Sequence, residues 1–224
     1  MSSLSDPVIS INGLGEKTSE RLNQIGIYSL ENLLFHLPNR YQDKTQITPL
    51  SAAKVDDEIL VELSIDRLEE VPTRQRQLLC YLSDNNNQKL LIRFFHFNQY
   101  QKQAFVRGEY IQCFGEIKIG RSGLEMHHPE YRLISQEQTP LLDSTLTPVY
   151  PLTAGITQNK IKLWVGHALE TLRATVINDY FERIAKNTMP NLKDSLYLLH
   201  HPRKGEDLTS ISNFKHIAQQ RLII

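Results

Sequence analysis

The stretch from Leu90 to Tyr100 places aromatic rings and an arginine at alternating positions of an expected β-strand. Alternation divides its side chains between two faces, with Leu90, Ile92, Phe94 and His96 on one and Leu91, Arg93, Phe95 and Phe97 on the other. If the first set packs inside a barrel, then Arg93, Phe95 and Phe97 point outward. Outward rings can stack on unpaired bases, and an outward guanidinium can bind phosphate. The alternative is that these rings cover a neighbouring helical segment.

Two further segments carry candidate phosphate contacts. Lys118 and Arg121 flank a predicted hairpin turn and could follow a phosphate backbone beside the aromatic surface, although loop lysines are usually only solvated. Gly13 and Gly15 form a turn typical of a helix-hairpin-helix motif, in which free N–H groups at a helix start meet one DNA phosphate. The alternative is a turn needed only for packing. A nucleotide-binding phosphate loop is excluded there, because Glu16 stands where lysine must follow the last glycine.

No catalytic or metal centre is predicted. The adjacent pairs His127-His128 and His200-His201 are poor joint metal ligands, because neighbouring side chains on an extended strand point to opposite faces. Cys80 and Cys113 have no second cysteine or histidine at zinc-ligand spacing, so we expect buried, reduced thiols. We therefore expect no catalytic residue, no metal and no cofactor in this chain.

Three segments position these residues. Residues 1–49 predict a compact helical hairpin, with Ser29 as the N-cap of a helix from Leu30 to Leu37. Residues 50–140 predict strands and one short helix in the order β-β-β-α-β-β, which is the order of the five-stranded Greek-key barrel called the OB-fold. Residues 141–224 predict an extended connector followed by helices. The fold class is therefore α+β, an OB-fold-like barrel flanked by helical segments.

Composition limits the classes of protein further. The chain has 224 residues, of which 40% are apolar and 22% charged, with 25 Lys and Arg against 25 Asp and Glu. This is an ordinary globular composition, and its zero net charge argues against binding nucleic acid through bulk positive charge. The sequence has neither a signal peptide nor a run of about 18 apolar residues, so we expect a cytoplasmic protein without membrane contacts.

Several strings, in the same order, make the chain resemble the N-terminal region of the RecG family of ATP-dependent branch-migration DNA helicases. They are Gly13-Leu-Gly15, Leu33-Leu-Phe-His-Leu-Pro-Asn-Arg-Tyr-Gln-Asp43, Arg93-Phe-Phe-His-Phe97, His128-Pro-Glu-Tyr-Arg132, Leu146-Thr-Pro-Val-Tyr-Pro-Leu-Thr153, Leu198-Leu-His-His-Pro202 and Ala218-Gln-Gln-Arg-Leu-Ile223. In that family the barrel is a wedge domain that splits the arms of branched DNA, stalled forks and Holliday junctions included, in recombination and repair. The resemblance assigns base stacking to Phe95, and also suggests Phe97 and Phe94 for this role.

The resemblance also implies what the chain lacks. The family's motor, with its phosphate loop, follows the Ala-Gln-Gln-Arg-Leu string and is not within these 224 residues. ATP and magnesium are thus expected only for motor domains elsewhere in a parent protein, and the chain itself is expected not to hydrolyse ATP.

Three hypotheses stay open from the sequence. The first is a wedge module that recognises branched DNA, with the motor domains of a parent helicase as its partner. The second is a protein-interaction module that braces such a motor or recruits a single-strand DNA-binding protein. The third is a binder of single-stranded RNA, which the barrel permits but the helical hairpin does not suggest.

Overall fold

The computed structural model describes residues 3–72, 76–134, 142–177, 190–203, 205 and 216–223. They divide into two compact units: residues 1–42 together with 145–224, and residues 43–144. The first and last of the three predicted segments therefore share one unit, which we call the helical unit. The second is the barrel unit. The predicted helix from Phe214 begins outside the described residues, and its described part starts at Ile217.

In chain order the helices are α1 (Glu16–Asn23), α2 (Leu30–Phe35), α3 (Gln99–Ala104), α4 (Gln158–Ala174), α5 (Leu192–His200) and α6 (Ile217–Ile223). The strands are β1 (Arg40–Gln42), β2 (Glu58–Val71), β3 (Gln77–Ser83), β4 (Lys89–Phe94), β5 (Tyr110–Glu116), β6 (Lys118–Gly120), β7 (Gly123–His127), β8 (Glu130–Ile134) and β9 (Thr147–Val149). Single 3₁₀ turns lie at Val8–Ser10 and Leu50–Ala52.

The N-cap residues predicted from the sequence lie at the starts of α2 and α4. Ser29 and Asn32 form a reciprocal capping box at the start of α2, and Thr157 accepts a hydrogen bond from the N–H of Lys160 at the start of α4. The apolar faces of these helices form one core, which includes Leu22, Leu30, Leu33, Leu34, Ile161, Trp164, Val165 and Leu169. The short strands β1 and β9 pair antiparallel, with Gln42 opposite Thr147.

His200 is a fully buried polar residue of the helical unit. Its Nε2 lies 2.8 Å from the carbonyl oxygen of Leu34, so Nε2 carries the proton, and its Nδ1 accepts from the hydroxyl of Tyr150 at 2.9 Å. A neutral imidazole therefore satisfies both ring nitrogens. Burial lowers the pKa of His200 to about 4.

The barrel unit has the predicted OB-fold order. Strand β2 pairs antiparallel with both β3 and β5, β3 pairs antiparallel with β4, and β4 pairs parallel with β7. Helix α3 lies between β4 and β5, which confirms the β-β-β-α-β-β prediction. The short strands β6 and β8 extend the sheet at its two ends, in the order β6-β7-β4-β3-β2-β5-β8. Sequence alternation did not reveal β8, because its side chains are mostly exposed on both faces.

A β-bulge at Asp66 divides β2 into two parts. Ile65 pairs with Leu82 and Arg67 with Tyr81, so Asp66 is the extra residue. Before the bulge the odd-numbered side chains point into the barrel, as at Ile65, and after it Leu68 does so instead. The bulge therefore turns Arg67 onto the outer face beside Tyr81.

Both cysteines are free thiols buried in the barrel core. Burial, with the Asp66 carboxylate as a second cause, raises the pKa of Cys80 to about 12. Burial also raises the pKa of Cys113. Within the described ranges, histidine, cysteine and acidic side chains form no group of three or more that could hold a metal. In the same ranges, every helix is too short or too polar to cross a membrane.

Candidate nucleic-acid interface

The predicted aromatic residues at and beyond the end of β4 differ in how deeply they are buried. The ring of Phe94 is only 2% exposed and lies inside the barrel, 5.7 Å from the rings of both Phe105 and Tyr131. The alternation that assigned Phe94 to the interior is thus correct. A ring enclosed in this way has no face available to a base, so Phe94 does not belong to the candidate interface, although the family resemblance suggested it.

Phe95 lies half-buried on the opposite face, between two histidine rings. The ring of His127 meets it edge-on with centroids 5.2 Å apart, and the ring of His128 lies 5.6 Å away at an interplanar angle of 38°. The backbone N–H of Phe95 donates to Nε2 of His128 at 2.9 Å. This aromatic group fixes the position of Phe95 just beyond the end of a strand.

The backbone bends between His127 and His128, and the ring of His128 also meets the buried ring of Phe94 edge-on, with centroids 5.7 Å apart. His128 has a φ of +46°, so the chain leaves the extended conformation directly after β7. The N–H of His128 also donates to the carbonyl oxygen of Arg93. Both imidazoles therefore reach Phe95. Burial, aided by the nearby His96 and His127, lowers the pKa of His128, which favours the neutral ring that accepts from Phe95.

Phe97 is half-buried and packs partly against the barrel core. The guanidinium of Arg76 lies 5.3 Å from the centre of its ring. Glu70 holds Arg76 at 2.6 Å and Lys102 at 2.7 Å. Arg76 therefore lies beside the second aromatic candidate, and the carboxylate that binds Arg76 also binds Lys102.

Arg93 is less available to phosphate than the sequence suggested. Its side chain is 24% exposed, donating from Nη1 to Gln77 at 2.8 Å and from Nη2 to Glu125 at 3.0 Å. Glu125 is buried and also accepts from Nε2 of His127 at 2.7 Å. Burial raises the pKa of Glu125, but the hydrogen bonds from His127 and Arg93 outweigh it and lower the pKa overall. Glu125 thus holds the arginine and the histidine beside Phe95 in place.

The β6–β7 hairpin carries the other two predicted cations. Lys118 forms an ion pair with Glu116 at 2.8 Å, and this hydrogen bond raises the pKa of Lys118. Arg121 is exposed in the turn. Lys118 lies on β6, opposite Glu125 of β7, and β7 is the strand that pairs with β4. The role of Lys118 and Arg121 in phosphate binding stays a prediction.

Gly13 and Gly15 lie at the surface of the helical unit, at the start of α1. Gly13 has a φ of +81°, which favours glycine, and Gly15 is the N-cap residue. Added Cβ atoms would meet nothing within 4 Å at either position. The predicted phosphate contact is sterically open here and stays a prediction.

Sequence reasoning missed the residues that support the interface. His127, His128 and Glu125 were not assigned to it, because they lie about thirty positions from Phe95 in the chain. The only sequence signal was the aromatic character of the histidine pair. The parallel pairing of β4 with β7 brings these residues together, with Arg93 directly opposite His127.

A family model described as the RecG wedge domain matches residues 7–172 of the chain. The ATP-dependent DNA helicase RecG of Haemophilus influenzae is 36% identical over 217 residues, which are 97% of this chain and 31% of that protein. The RecG of Escherichia coli is 33% identical over 218 residues, with the same coverage. This chain therefore spans about a third of the length of these curated relatives.

A solved structure, described as RecG bound to a three-way DNA junction, matches the fold with a TM-score of 0.70. The match covers 95% of this chain and 29% of that one, at 23% sequence identity. It shows that the two folds are alike along nearly the whole of this chain.

Proposed function

The chain belongs to the RecG wedge domain family, and we propose on that premise that its barrel unit binds branched DNA at the point where base pairing ends. Phe95 stacks on the last base pair or on the first unpaired base. Contacts of this kind form only at a branch point, because an intact duplex covers the faces of its bases. The module therefore distinguishes a fork from linear duplex DNA.

The observation that carries this proposal is the position of Phe95. It follows the last residue of β4 on the outer side of the barrel, while Phe94 fills the interior. A hydrogen bond to His128 and an edge contact with His127 hold the ring before any ligand arrives. A ring held in advance loses little conformational freedom on stacking, which favours affinity.

Phosphate contacts supply the remaining affinity in the proposal. Arg121 is exposed, and Lys118 can exchange its contact with Glu116 for a phosphate. Since the whole chain has no net charge, these local cations rather than a general positive field bind the backbone. Gly13 and Gly15 extend the proposal with one phosphate contact from the helical unit.

The named relatives are ATP-dependent helicases about three times as long as this chain. We place this region beside helicase motor domains in such a protein, where ATP and magnesium would bind the motor. The region itself contributes DNA binding and no hydrolysis, because Glu16 interrupts its one glycine-rich string. A single-strand DNA-binding protein is a further proposed partner, which the protein-interaction hypothesis would require.

The test is fluorescence anisotropy with a fork, a three-way junction and a linear duplex of equal length, at two salt concentrations. We expect both branched DNAs to bind more tightly than the duplex, and salt to weaken all three complexes. Equal affinity for the three DNAs would contradict the proposal. If the chain binds a helicase motor domain but none of the three DNAs, that result would instead support the protein-interaction hypothesis.

A further inference from the structure

A cavity of about 560 Å³ lies in the barrel unit, near the end of β4 opposite to Phe95. Its walls come from the β2 bulge, the paired ends of β3 and β4, the segment after α3 and the β6–β7 turn. Leu91 and Leu124 supply apolar surface, and Ser122 supplies a hydroxyl group. None of the residues in the interface described above lines this cavity.

The walls carry more positive than negative charge. Arg67, Lys89 and Arg107 line the cavity together with a single carboxylate, that of Asp66. Lys89 forms an ion pair with Asp66 at 3.0 Å, and its side chain is still 55% exposed. Arg67 also forms an ion pair with Glu69 at 3.7 Å. The three cations therefore exceed the two carboxylates beside them by one positive charge, so an anionic ligand matches the cavity.

A planar stack forms one side of the cavity. The guanidinium of Arg67 lies 3.9 Å from the centre of the Tyr81 ring, and the arginine side chain is 62% exposed. One face of the guanidinium is thus covered by tyrosine, and the other is open. Nucleobases stack on arginine planes as well as on aromatic rings. The β2 bulge creates this stack, because it moves Arg67 to the outer face next to Tyr81.

The cavity and Phe95 share one face of the sheet. Tyr81 pairs with Leu91, and Leu91, Arg93 and Phe95 follow one another at alternate positions along β4. Four residues separate Leu91 from Phe95, which is about 13 Å along an extended strand. A chain that leaves a branch point at Phe95 can therefore follow β4 past Arg93 to the cavity.

We propose that this cavity binds one unpaired nucleotide of single-stranded DNA, with the base stacked on Arg67 and the phosphate held by Lys89 and Arg107. The charge excess and the planar stack together favour a nucleotide over an acidic peptide, which would use the cations but not the stack. This inference rests on the proposed function in one respect, which is that the bound nucleotide belongs to the strand displaced at the branch point.

The test compares two forks, one blunt and one with a single-stranded tail of about eight nucleotides, within the range that an OB-fold occupies. We expect the tail to tighten binding, and Arg67→Gln to remove about 5- to 20-fold of affinity from the tailed fork only. Lys54→Gln removes an exposed cation outside the cavity and is the matched control. Phe95→Ala should weaken both forks equally, which keeps a failure of the proposed function distinct from a failure of this one.

A second readout does not depend on a variant. A tail that contains 5-iodouracil should cross-link on irradiation to peptides that line the cavity, as identified by peptide mass spectrometry. No gain from the tail, or an equal loss from Arg67→Gln on both forks, would overturn the proposal. So would binding of a labelled oligo-glutamate peptide that depends on Arg67 while the tail adds nothing, since the cavity would then be a peptide site.

Discussion

The backbone N–H of Phe95 is bound by the side chain of His128, 33 positions later in the chain, through a hydrogen bond of 2.9 Å. Nε2 of His128 can accept this bond only when it carries no proton. The position of the proposed stacking ring thus depends on a neutral histidine that has a left-handed backbone.

His128→Asn should therefore weaken fork binding by about 1 kcal/mol, the net value of one hydrogen bond. Asparagine tolerates the left-handed backbone, but its shorter side chain does not reach the N–H of Phe95. Binding is measured by anisotropy with a fork. His167→Asn, which changes an exposed histidine of α4, is the control and should bind like the unchanged protein. A wild-type affinity for His128→Asn would show that the bond does not position the ring.

Phe95→Ala and Phe94→Ala should have opposite consequences. Loss of the outer ring of Phe95 should cost about 1–3 kcal/mol of fork-binding free energy and under about 1 kcal/mol of unfolding free energy. Loss of the buried ring of Phe94 should lower the free energy of unfolding by about 3–5 kcal/mol, because it leaves a cavity in the core. Urea melts and binding curves on both variants make the comparison. If Phe95→Ala unfolds the protein instead, the ring is a packing residue.

Arg121→Gln should weaken binding to fork and duplex alike and reduce the salt dependence by about one phosphate contact. Lys118→Gln should have a smaller effect, because Glu116 already competes for that ammonium group. Affinities at four salt concentrations give the slopes. A loss confined to the fork would mean that Arg121 contacts the branch point rather than a phosphate.

His200 should make the helical unit less stable in acid. Its pKa is near 4 when folded and about 6.5 when unfolded, so above pH 6.5 both states are neutral and the stability is complete. As the pH falls from 6.5 to 4, only the unfolded chain takes up the proton, which costs about 2 kcal/mol by pH 5. Urea melts at pH 8 and pH 5 measure the total change.

The matched variant is His200→Gln, which does not titrate and keeps a donor for the Leu34 carbonyl oxygen. It should be less stable at pH 8 than the unchanged protein, yet lose about 2 kcal/mol less between pH 8 and pH 5. Equal losses in both proteins would show that other groups cause the acid sensitivity.

Local patterns were sufficient to predict much of the fold. The alternation in β2 and β4, the Ser29 cap and the Thr157 cap each act within a few residues, so the sequence alone identifies them. The separation of Phe94 from Phe95 also follows from alternation. Strands as short as β1 and β6 have too few residues for a period to show.

The candidate site was less predictable because long-range pairing forms it. Arg93 looks like an exposed cation in the sequence, but Glu125 from a parallel strand binds it. His128 follows the strand pattern until its left-handed turn, which no neighbouring glycine indicates. The pair of Arg67 and Tyr81 exists only because Asp66 forms a bulge, and a bulge leaves little trace in the hydrophobic pattern.

The division of the helical unit between residues 1–42 and 145–224 has a consequence for biosynthesis. The ribosome completes the barrel unit before it releases the residues that finish the core around α2. The barrel can fold first, and the N-terminal helices can complete their core only after α4 has been synthesised. Because β1 and β9 hold Gln42 opposite Thr147, the intervening segment leaves and re-enters the helical unit at neighbouring points, as an inserted domain does. Evolution can therefore lengthen or exchange the barrel without breaking the helical core.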